Sequence, residues 1–572
     1  MSLNTLAFSL PEDLRAAVEA TIKDWQTGGK VEKLRAKDAS VWTNEDEAKW
    51  LGWLDIVERQ IADKGKFADF QAEVKVENFS HILLLGMGGS SLCPEVLSFT
   101  FGKQNGFPEL HILDSTDPAQ IRQVEAKIDL ANTLFFVSSK SGSTLEPNIF
   151  QQYFFERVSQ TVGADKAGSR FVAITDPNSK MQKVAEENNF RRIFHGDATI
   201  GGRYSALSDF GMIPLAAMGV DVSDFLSRTN EMVAACKQNA TENPGVILGA
   251  ILGTAWKNFG RDKVTIYTSP KIYDLGAWLE QLIAESTGKQ GKSLIPVDRE
   301  PIVAASEYGD DRVFVYLKVE GDDERDAEVE ELEASGQPFI RIVLPEIANL
   351  GQEFFRWEIA TAVAGAIMEI NPFNQPDVEA SKIVTKKLTS EYEETGSLPD
   401  EKPLFESDGI KLFTDEPNAK ELNKAVGDDK TLGNYISAHL DRIEHGDYFG
   451  LLAYIEMNNS NQKSLDEIRR SVLENFSVAT CLGFGPRFLH STGQGYKGGA
   501  NNGVFLQITC DDEEDLAVPH QKYTFGTVKA AQARGDFAVL AERKRRALRV
   551  HLGADVQEGL AKIGRIIEQL NR

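Results

Sequence analysis

Cysteine is scarce in this sequence, and the cysteines that are present lie far apart. The 572 residues include four cysteines and eight histidines, and no two cysteines form a CxxC pair. This usage excludes a disulfide framework or a zinc centre built on clustered cysteines, and it is typical of a reducing compartment. We therefore expect a cytoplasmic protein. The cysteines are Cys93, Cys236, Cys481 and Cys510.

Positive charge is also in short supply. Lysine and arginine number 62 against 86 aspartates and glutamates, which gives a formal net charge of −24. A field of this sign repels nucleic acid and anionic lipid over most of the surface. We therefore expect neither nucleic acid nor a membrane as a partner. An anionic small molecule would need a pocket that is locally positive.

Long hydrophobic runs are missing as well. The longest, Val246–Trp256 and Ile359–Met368, have about half the length that a bilayer-spanning helix needs. The first seventeen residues, Met1–Ala17, lack the basic region and the apolar core of a signal peptide. The sequence therefore predicts a soluble protein with neither a membrane span nor a leader.

The composition itself is that of a globular protein, 42% hydrophobic and 26% charged, with room for about three or four domains. Short apolar runs alternate with helical patterns, which predicts parallel strands buried on both faces of a sheet. The predicted fold class is α/β, with two doubly wound domains around parallel central sheets. The predicted strands are His81–Leu85, Leu110–Leu113, Thr133–Val137 and Arg170–Ile174, then Val264–Tyr267, Val313–Leu317 and Phe339–Val343.

Five segments follow from these patterns. Amphipathic spacing predicts a helical N-terminal segment at residues 1–75, and the two α/β domains occupy 76–225 and 226–385. A stretch rich in Glu, Asp, Pro and Gly opens an inserted, mostly helical region at 386–475. Residues 476–572 form a C-terminal segment that ends in a long charged helix at about 528–570.

A glycine-rich loop follows the first predicted strand. Residues Gly86–Ser91 have the sequence Gly-Met-Gly-Gly-Ser-Ser. Glycine allows the backbone to approach a ligand closely, and a helix that begins at Ser90 or Ser91 would offer free N–H groups to an anion. The loop matches neither the dinucleotide fingerprint nor a P-loop, so a tight structural turn and a ligand loop both stay open.

A hydroxyl-rich loop follows the third predicted strand. Residues Ser138–Thr144 hold five hydroxyl side chains, Lys140 and Gly142. Hydroxyls and N–H groups at the start of a helix, with a cation nearby, can bind a phosphate, and ligands bind at the carboxyl ends of strands in doubly wound sheets. We therefore interpret Ser139–Thr144 as a phosphate loop, against the alternative of a serine-rich helix cap.

Two further motifs carry charge. Gly201–Ser205 places Arg203 behind two glycines, where a guanidinium that is always charged can approach a ligand. In Gln281–Lys289 the helical spacing places Gln281 and Glu285 on one face, and Gly288 would end the helix. A carboxylate shielded from water at this end can act as a general base. A surface turn and an exposed helix-end glutamate are the alternatives.

These motifs together resemble those of the phosphoglucose isomerases, in the same order along the chain. The resemblance is closest to the isomerase half of bifunctional transaldolase/glucose-6-phosphate isomerases, because Phe484–Gln494 and Ala531–Asp536 also match. It covers about 76–572 and implies two sugar-isomerase (SIS) domains. The motifs are Gly86–Leu92, Ser139–Glu146, Gly201–Ser205, Glu285–Lys289 and Asn371–Lys382.

The resemblance implies a role for each matching residue. Glu285 would be the base that moves a proton between C1 and C2 through a cis-enediol, and Arg203 would stabilise the charge on that intermediate. Lys382 would assist at the ring oxygen, and Lys529 is an alternative for this role. The residues implied in phosphate or substrate binding are Ser139, Lys140, Ser141 and Thr144, together with Gly89, Ser90, Gln281 and Gln375.

The ring-opening histidine departs from the family pattern. In phosphoglucose isomerases it falls between the glutamate and lysine motifs, but residues 285–382 contain no histidine. The best match is His490, which follows Lys382. A structural histidine that holds its loop is the alternative. Because the family can take this histidine from the neighbouring subunit, the resemblance implies a homodimer.

The implied function is an aldose–ketose isomerase of glycolysis and gluconeogenesis that acts on glucose 6-phosphate and fructose 6-phosphate. This chemistry needs neither a redox cofactor nor a metal, and the sequence shows no convincing metal cluster. The alternatives are a non-catalytic phosphosugar-binding regulator on the SIS scaffold and an isomerase that also accepts mannose 6-phosphate. Residues 1–75 are too short for a transaldolase barrel of about 250 residues, so we expect no aldol transfer.

Overall fold

A computed structural model describes residues 2–570, in two compact units. Unit 1 comprises Met1–Asp114, Gln123–Thr287 and Val313–Asn374, and unit 2 comprises Ser115–Arg122, Gly288–Arg312 and Gln375–Arg572. These bounds differ from those of the predicted segments. One division between the units falls after Asn374, which lies inside the Asn371–Lys382 motif. Every helix of residues 2–570 is too short or too polar to cross a bilayer.

The elements follow one another as α/β repeats. The strands are β1 (Thr5–Ser9), β2 (His81–Leu85), β3 (Glu109–Leu113), β4 (Thr133–Ser138), β5 (Phe171–Thr175), β6 (Arg192–His195), β7 (Lys263–Thr268), β8 (Ile295–Asp298), β9 (Arg312–Val319), β10 (Phe339–Leu344), β11 (Phe405–Ser407), β12 (Ile410–Phe413), β13 (Tyr448–Tyr454), β14 (Ala479–Phe484), β15 (Gly503–Cys510) and β16 (Arg546–Leu552).

Helices of widely different length connect these strands. They are α1 (Glu12–Thr27), α2 (Lys30–Arg35), α3 (Ile56–Ala62), α4 (Gly65–Glu77), α5 (Leu92–Phe101), α6 (Pro118–Lys127), α7 (Leu145–Val162), α8 (Ala164–Ala167), α9 (Lys180–Glu187), α10 (Asp209–Ala217), α11 (Val222–Ala235), α12 (Pro244–Phe259), α13 (Leu275–Thr287), α14 (Asp326–Ala334), α15 (Leu350–Ile367), α16 (Pro376–Thr395), α17 (Glu416–Val426), α18 (Leu432–Leu440), α19 (Asn459–Phe476), α20 (Gly493–Gly498), α21 (Phe525–Glu542) and α22 (Val556–Glu568).

The first sheet of unit 1, called sheet A, has the strand order β3-β2-β4-β5-β6. Its strands are all parallel, and every residue of β4 and β5 is buried. Continuous apolar runs suit strands that helices cover on both faces. The four predicted strands of the first domain are therefore confirmed within a residue or two, and so is the α/β class with parallel sheets.

A second sheet of unit 1 contains the neighbours β1-β10-β9-β7. Strands β10 and β9 are parallel, but β1 joins the edge antiparallel, with Leu6 opposite Ile342. The N-terminal segment was predicted to be helical throughout, and this is wrong for Thr5–Ser9. A five-residue edge strand is fixed by pairing with a distant backbone, which leaves little periodicity in its own sequence.

Unit 2 has a six-stranded sheet in the order β11-β12-β16-β15-β13-β14. Strands β14, β13, β15 and β16 are parallel, and β12 and β11 extend the edge antiparallel. Residues 386–475 lie mostly in helices, in the end of α16 and in α17, α18 and α19, but they also supply the strands β11, β12 and β13. The predicted long terminal helix is wrong, because β16 interrupts it between α21 and α22. Basic residues such as Arg546 and Arg549 mask the apolar character of this strand.

Candidate active site

Two loops emerge side by side at the carboxyl end of sheet A. Leu85 at the end of β2 lies opposite Val137 near the end of β4. After β2 the chain makes a 3₁₀ turn at Gly88–Ser90, and α5 begins at Leu92. After β4 the hydroxyl-rich loop runs to Thr144, and α7 begins at Leu145. The register of the parallel strands therefore places both predicted ligand loops at one edge.

The glycine-rich loop packs directly against the turn that carries the arginine. A Cβ atom on Gly89 would lie 2.0 Å from the carbonyl oxygen of Gly202, so only glycine fits here. The hydroxyl of Ser205 donates to the oxygen of Gly202 at 2.6 Å and approaches that of Gly89 at 3.3 Å. The backbones of the glycine-rich loop and the arginine turn are therefore in contact at Gly89 and Gly202. Ser90, the next residue of the glycine-rich loop, is half-buried.

Arg203 lies at the centre of a buried polar network. Its Nε donates to Ser286 Oγ at 2.8 Å, and its Nη2 donates to the carbonyl oxygens of Pro372 and Asn374 at 2.8 and 3.0 Å. Its Nη1 lies 3.3 Å from Glu285 Oε1, and its side chain is 2% exposed. These contacts with α13 and with the segment at 372–374 fix the guanidinium in one position.

Glu285 has its second oxygen engaged as well. Gln281 Nε2 donates to Glu285 Oε2 at 3.0 Å, one helical turn earlier on α13. The predicted shared face of these two side chains is therefore confirmed, and α13 ends at Thr287, directly before Gly288. A carboxylate held between a guanidinium and an amide, with a side chain 10% exposed, is well placed to exchange a proton with a ligand.

The hydroxyl-rich loop has both buried and exposed groups. The hydroxyls of Ser138 and Ser139 are buried and have no hydrogen-bond partner among residues 2–570. Ser141 Oγ and Ser143 Oγ lie 2.8 Å apart on the exposed part of the loop, and Thr144 precedes α7 with its carbonyl bound by Asn148. Buried hydroxyls without partners cost free energy unless a ligand or water satisfies them.

Lys140 is engaged within the protein. Its Nζ donates to Asp176 Oδ2 at 2.6 Å and to the carbonyl oxygen of Asp197 at 2.8 Å. Burial raises the pKa of Asp176, and the hydrogen bond from Lys140 only partly offsets this. Lys140 therefore shares its charge with a neighbouring carboxyl group, a contact that no local pattern in the sequence indicates.

The remaining predicted residues lie in unit 2. Gln375 directly precedes α16 and is half-buried, and Lys382 on α16 pairs with Glu379 at 2.9 Å, its side chain 43% exposed. His490 ends a 3₁₀ turn at Arg487–His490 and is half-buried. The predicted residues of unit 1 therefore lie in the two loops, in the arginine turn and on α13. Gln375, Lys382 and His490 belong to unit 2.

Lys529, the alternative lysine, is more firmly held than Lys382. Its side chain is 3% exposed, and its Nζ lies 2.8 Å from Asp117 Oδ2 and 2.5 Å from Asp512 Oδ1. Burial alone would lower the pKa of Lys529, but Asp117 and the other nearby groups outweigh it and raise this pKa. Asp117 and Asp512 lie 395 residues apart, so no local motif indicated this cluster.

Ser286 and the carbonyl groups that orient Arg203 were also missed. Ser286 stands inside the motif that contains Glu285, but its hydroxyl has no local pattern that marks it as a partner of an arginine 83 residues away. The carbonyl oxygens of Pro372 and Asn374 carry no sequence information at all, since every residue has one. Only the tertiary structure identifies these contacts.

Comparisons with known proteins bear on this site. Residues 59–303 match the Phosphoglucose isomerase family. A glucose-6-phosphate isomerase of Prochlorococcus marinus is 26% identical over 74% of this chain and 88% of its own length. One of Thermosynechococcus vestitus is 28% identical over 61% and 77%. The family match includes Arg203 and Glu285 but ends before Gln375.

Solved structures show the same fold. A glucose-6-phosphate isomerase of Chlamydia trachomatis superposes with a TM-score of 0.55, with 19% identity over 68% of this chain and 89% of that one. A hypothetical protein of Thermus thermophilus gives a TM-score of 0.57, with 23% identity over 67% and 99%. The resemblance to phosphoglucose isomerases that the motifs indicated is confirmed by the family match at residues 59–303 and by the curated relatives, and the solved structures show the fold.

Proposed function

We propose that this protein interconverts glucose 6-phosphate and fructose 6-phosphate, as a glycolytic and gluconeogenic aldose–ketose isomerase. The observation that carries the proposal is the buried pair of Arg203 and Glu285, 3.3 Å apart, which lies beside two loops suited to a phosphosugar. The relatives named glucose-6-phosphate isomerase support the same activity.

The chemistry needs a base and a charge stabiliser. In the aldose-to-ketose direction the Glu285 carboxylate removes the proton from C2, and the electron pair of that C–H bond forms the C1–C2 double bond of a cis-enediol. The π pair of the C1 carbonyl moves to O1, which takes up a proton, and O2 gives up a proton when the C2 carbonyl forms. Glu285 returns its proton to C1. Arg203 stabilises the negative charge that develops on the enediol oxygens, and its fixed contacts mean that it need not reorganise during the reaction.

The substrate phosphate is assigned to Ser139, Lys140, Ser141 and Thr144. The hydroxyl of Ser139 is buried and has no hydrogen-bond partner in the part of the chain that the structure describes, which supports this assignment. The position of the loop before α7 supports it too, because the first N–H groups of that helix favour an anion. Gly89, Ser90, Gln281 and Gln375 are assigned to the rest of the sugar. The bond between Lys140 and Asp176 implies that the lysine shares its charge between the carboxyl group and the phosphate.

Ring opening is assigned to His490 with Lys382. The same proposal includes a homodimer, which the family resemblance implies, and a cytoplasmic location, which the scarcity of cysteine favours. A regulator that only binds phosphosugars would have no use for a carboxylate held against a guanidinium, so the site favours the isomerase.

The first test is a coupled assay of fructose 6-phosphate conversion, with and without chelator, for the protein and for Glu285→Gln. We expect chelator-insensitive turnover that falls at least about a thousandfold in the variant, about 4 kcal/mol of barrier, because the amide cannot accept the proton. Glu231→Gln on the exposed side of α11 is the matched control and should keep full turnover. If the protein binds fructose 6-phosphate but does not convert it, the isomerase proposal is wrong and the phosphosugar-binding regulator is supported.

The two lysines are separated by a second pair of variants. Lys382→Gln should lower turnover about tenfold without loss of stability, because the side chain makes one exposed ion pair. Lys529→Gln should instead destabilise the fold by about 3–5 kcal/mol, because it leaves Asp117 and Asp512 without their cation. If Lys382→Gln keeps full turnover and the charge-preserving Lys529→Arg loses turnover, then Lys529 and not Lys382 assists at the ring oxygen.

A further inference from the structure

The amino end of sheet A holds a second group of polar side chains. His81, Glu109 and His111 each present one ligand atom, and these atoms all lie within 4.8 Å of one another. His81 Nδ1 and His111 Nε2 are 3.1 Å apart. None of the three belongs to a motif that the sequence analysis recognised, and none is used in the proposed reaction.

The strand register explains why these side chains meet. Strands β2 and β3 are parallel neighbours, with His81 opposite Glu109 and Leu83 opposite His111. Glu109 and His111 are two residues apart on β3, so their side chains point to the same face of the sheet. The three groups are thus mounted on two hydrogen-bonded strands, which makes their spacing rigid.

The donor set suits a transition metal. Two imidazoles and one carboxylate are the ligands of many zinc sites, in which water fills the fourth position. Two nitrogen ligands at about 2.0–2.1 Å from a tetrahedral ion are separated by roughly 3.3 Å, close to the spacing of the two rings. Glu109 is exposed and both histidines are half-buried, so an ion can enter from solvent. Lys103 and Lys127 also act electrostatically on His111, and their positive charge opposes a cation there.

The place of this cluster separates it from the isomerase chemistry. His81 is the first residue of β2, whereas the glycine-rich loop begins after Leu85 at the other end of the strand. Five residues of β-strand span about 16 Å. An ion at the amino end therefore does not touch the reacting sugar, and it would instead fasten the edge strand β3 to β2.

We propose that His81, Glu109 and His111 form a binding site for one divalent transition-metal ion of the zinc class, which pins β3 at the edge of sheet A. The site does not depend on the isomerase activity, because no residue is shared with the proposed reaction.

Calorimetric titration of the metal-stripped full chain with Zn²⁺ tests the proposal, together with the visible spectrum of the Co²⁺ form. We expect one equivalent of metal, and affinity at least tenfold weaker in His111→Gln and in Glu109→Gln. His445→Gln is the matched control, because His445 is exposed and its Nε2 pairs with Asp310 Oδ1 outside the proposed site; the Zn²⁺ affinity of this variant should not change.

Two results would overturn the site. One is the absence of stoichiometric Zn²⁺ binding by the folded chain, and the other is equal affinity in the protein, His111→Gln and Glu109→Gln. Since Glu109 is exposed, Glu109→Gln is expected to fold, which keeps the comparison valid if a histidine variant does not. Turnover of fructose 6-phosphate should stay within twofold in Glu109→Gln, so a failure of the metal site and a failure of the isomerase are distinguishable.

Discussion

The two ends of sheet A gather polar side chains in different ways. At the carboxyl end they come from loops, and the central pair is buried: the side chains of Arg203 and Glu285 are 2% and 10% exposed. At the amino end they come from the strands themselves, and Glu109 is exposed. Loops can carry several functional groups on adjacent residues, whereas strands supply one group at every second position.

This difference has an energetic consequence. Charges removed from water interact strongly, and they are costly when a partner is lost. We therefore expect substitutions at the carboxyl end to have large effects on catalysis and stability, and those at the amino end to change metal affinity alone. Two substitutions at the carboxyl end and one at a buried carboxyl group of α15 test how far polar groups depend on burial and close contact.

Of these three substitutions, Arg203→Lys is expected to have the largest effect. Lysine keeps the charge but cannot reproduce the fork that reaches Ser286 and the carbonyl oxygens of Pro372 and Asn374. We expect kcat to fall about a hundredfold, about 2.7 kcal/mol of barrier, with a smaller change in KM. Steady-state kinetics with fructose 6-phosphate checks this. A variant that keeps half of its turnover would show that charge alone is enough.

An intermediate effect is expected for Gly89→Ala. The new Cβ would lie 2.0 Å from the oxygen of Gly202, so the backbone beside Arg203 must move. We expect a loss of about 1–3 kcal/mol in the free energy of unfolding and at least a tenfold drop in turnover. Urea unfolding measures the change in the free energy of unfolding, and the coupled assay measures the change in turnover.

Gly202→Ala is the matched control for this stability effect. A Cβ on Gly202 meets nothing within 4 Å, and the residue adopts an ordinary backbone conformation. Its free energy of unfolding should stay within about 0.5 kcal/mol of that of the unchanged protein. Equal losses in both variants would contradict the close contact between the two loops.

The smallest effect concerns Glu358 on α15. Its side chain is fully buried, and neither carboxyl oxygen has a hydrogen-bond partner within residues 2–570. Burial raises the pKa of Glu358 well above its usual value. The folded state therefore holds this proton more tightly than the unfolded state, and stability is lost as the pH rises from the unfolded pKa of about 4.3 towards the folded one.

Replacement by methionine removes this cost. Glu358→Met should increase the free energy of unfolding by about 1–3 kcal/mol at pH 8 and by much less at pH 4. Urea unfolding at the two pH values measures the difference, and the exposed Glu231→Met should show no such dependence. An equal gain at both pH values would mean that the proton on Glu358 is not the cause.

Part of the fold was predictable because its elements are local. The strands of sheet A are continuous apolar runs, and the face shared by Gln281 and Glu285 follows from helical spacing. The strands β1 and β16 were not predictable in this way. Strand β1 is stabilised by pairing with β10, and β16 is buried in unit 2 despite its arginines, so both depend on residues far away in the sequence.

The sequence by itself determined the chemistry of the candidate active site. The residue types of the two ligand loops, the arginine turn and the glutamate helix are contiguous, and contiguous groups stay together however the chain folds. Tertiary structure decided what surrounds them: the partners of Arg203, the bond between Lys140 and Asp176, and the meeting of His81, Glu109 and His111. Apart from Glu109 and His111, which are neighbours on one strand, these contacts join residues 28 or more positions apart, and only strand register and core packing bring such residues together.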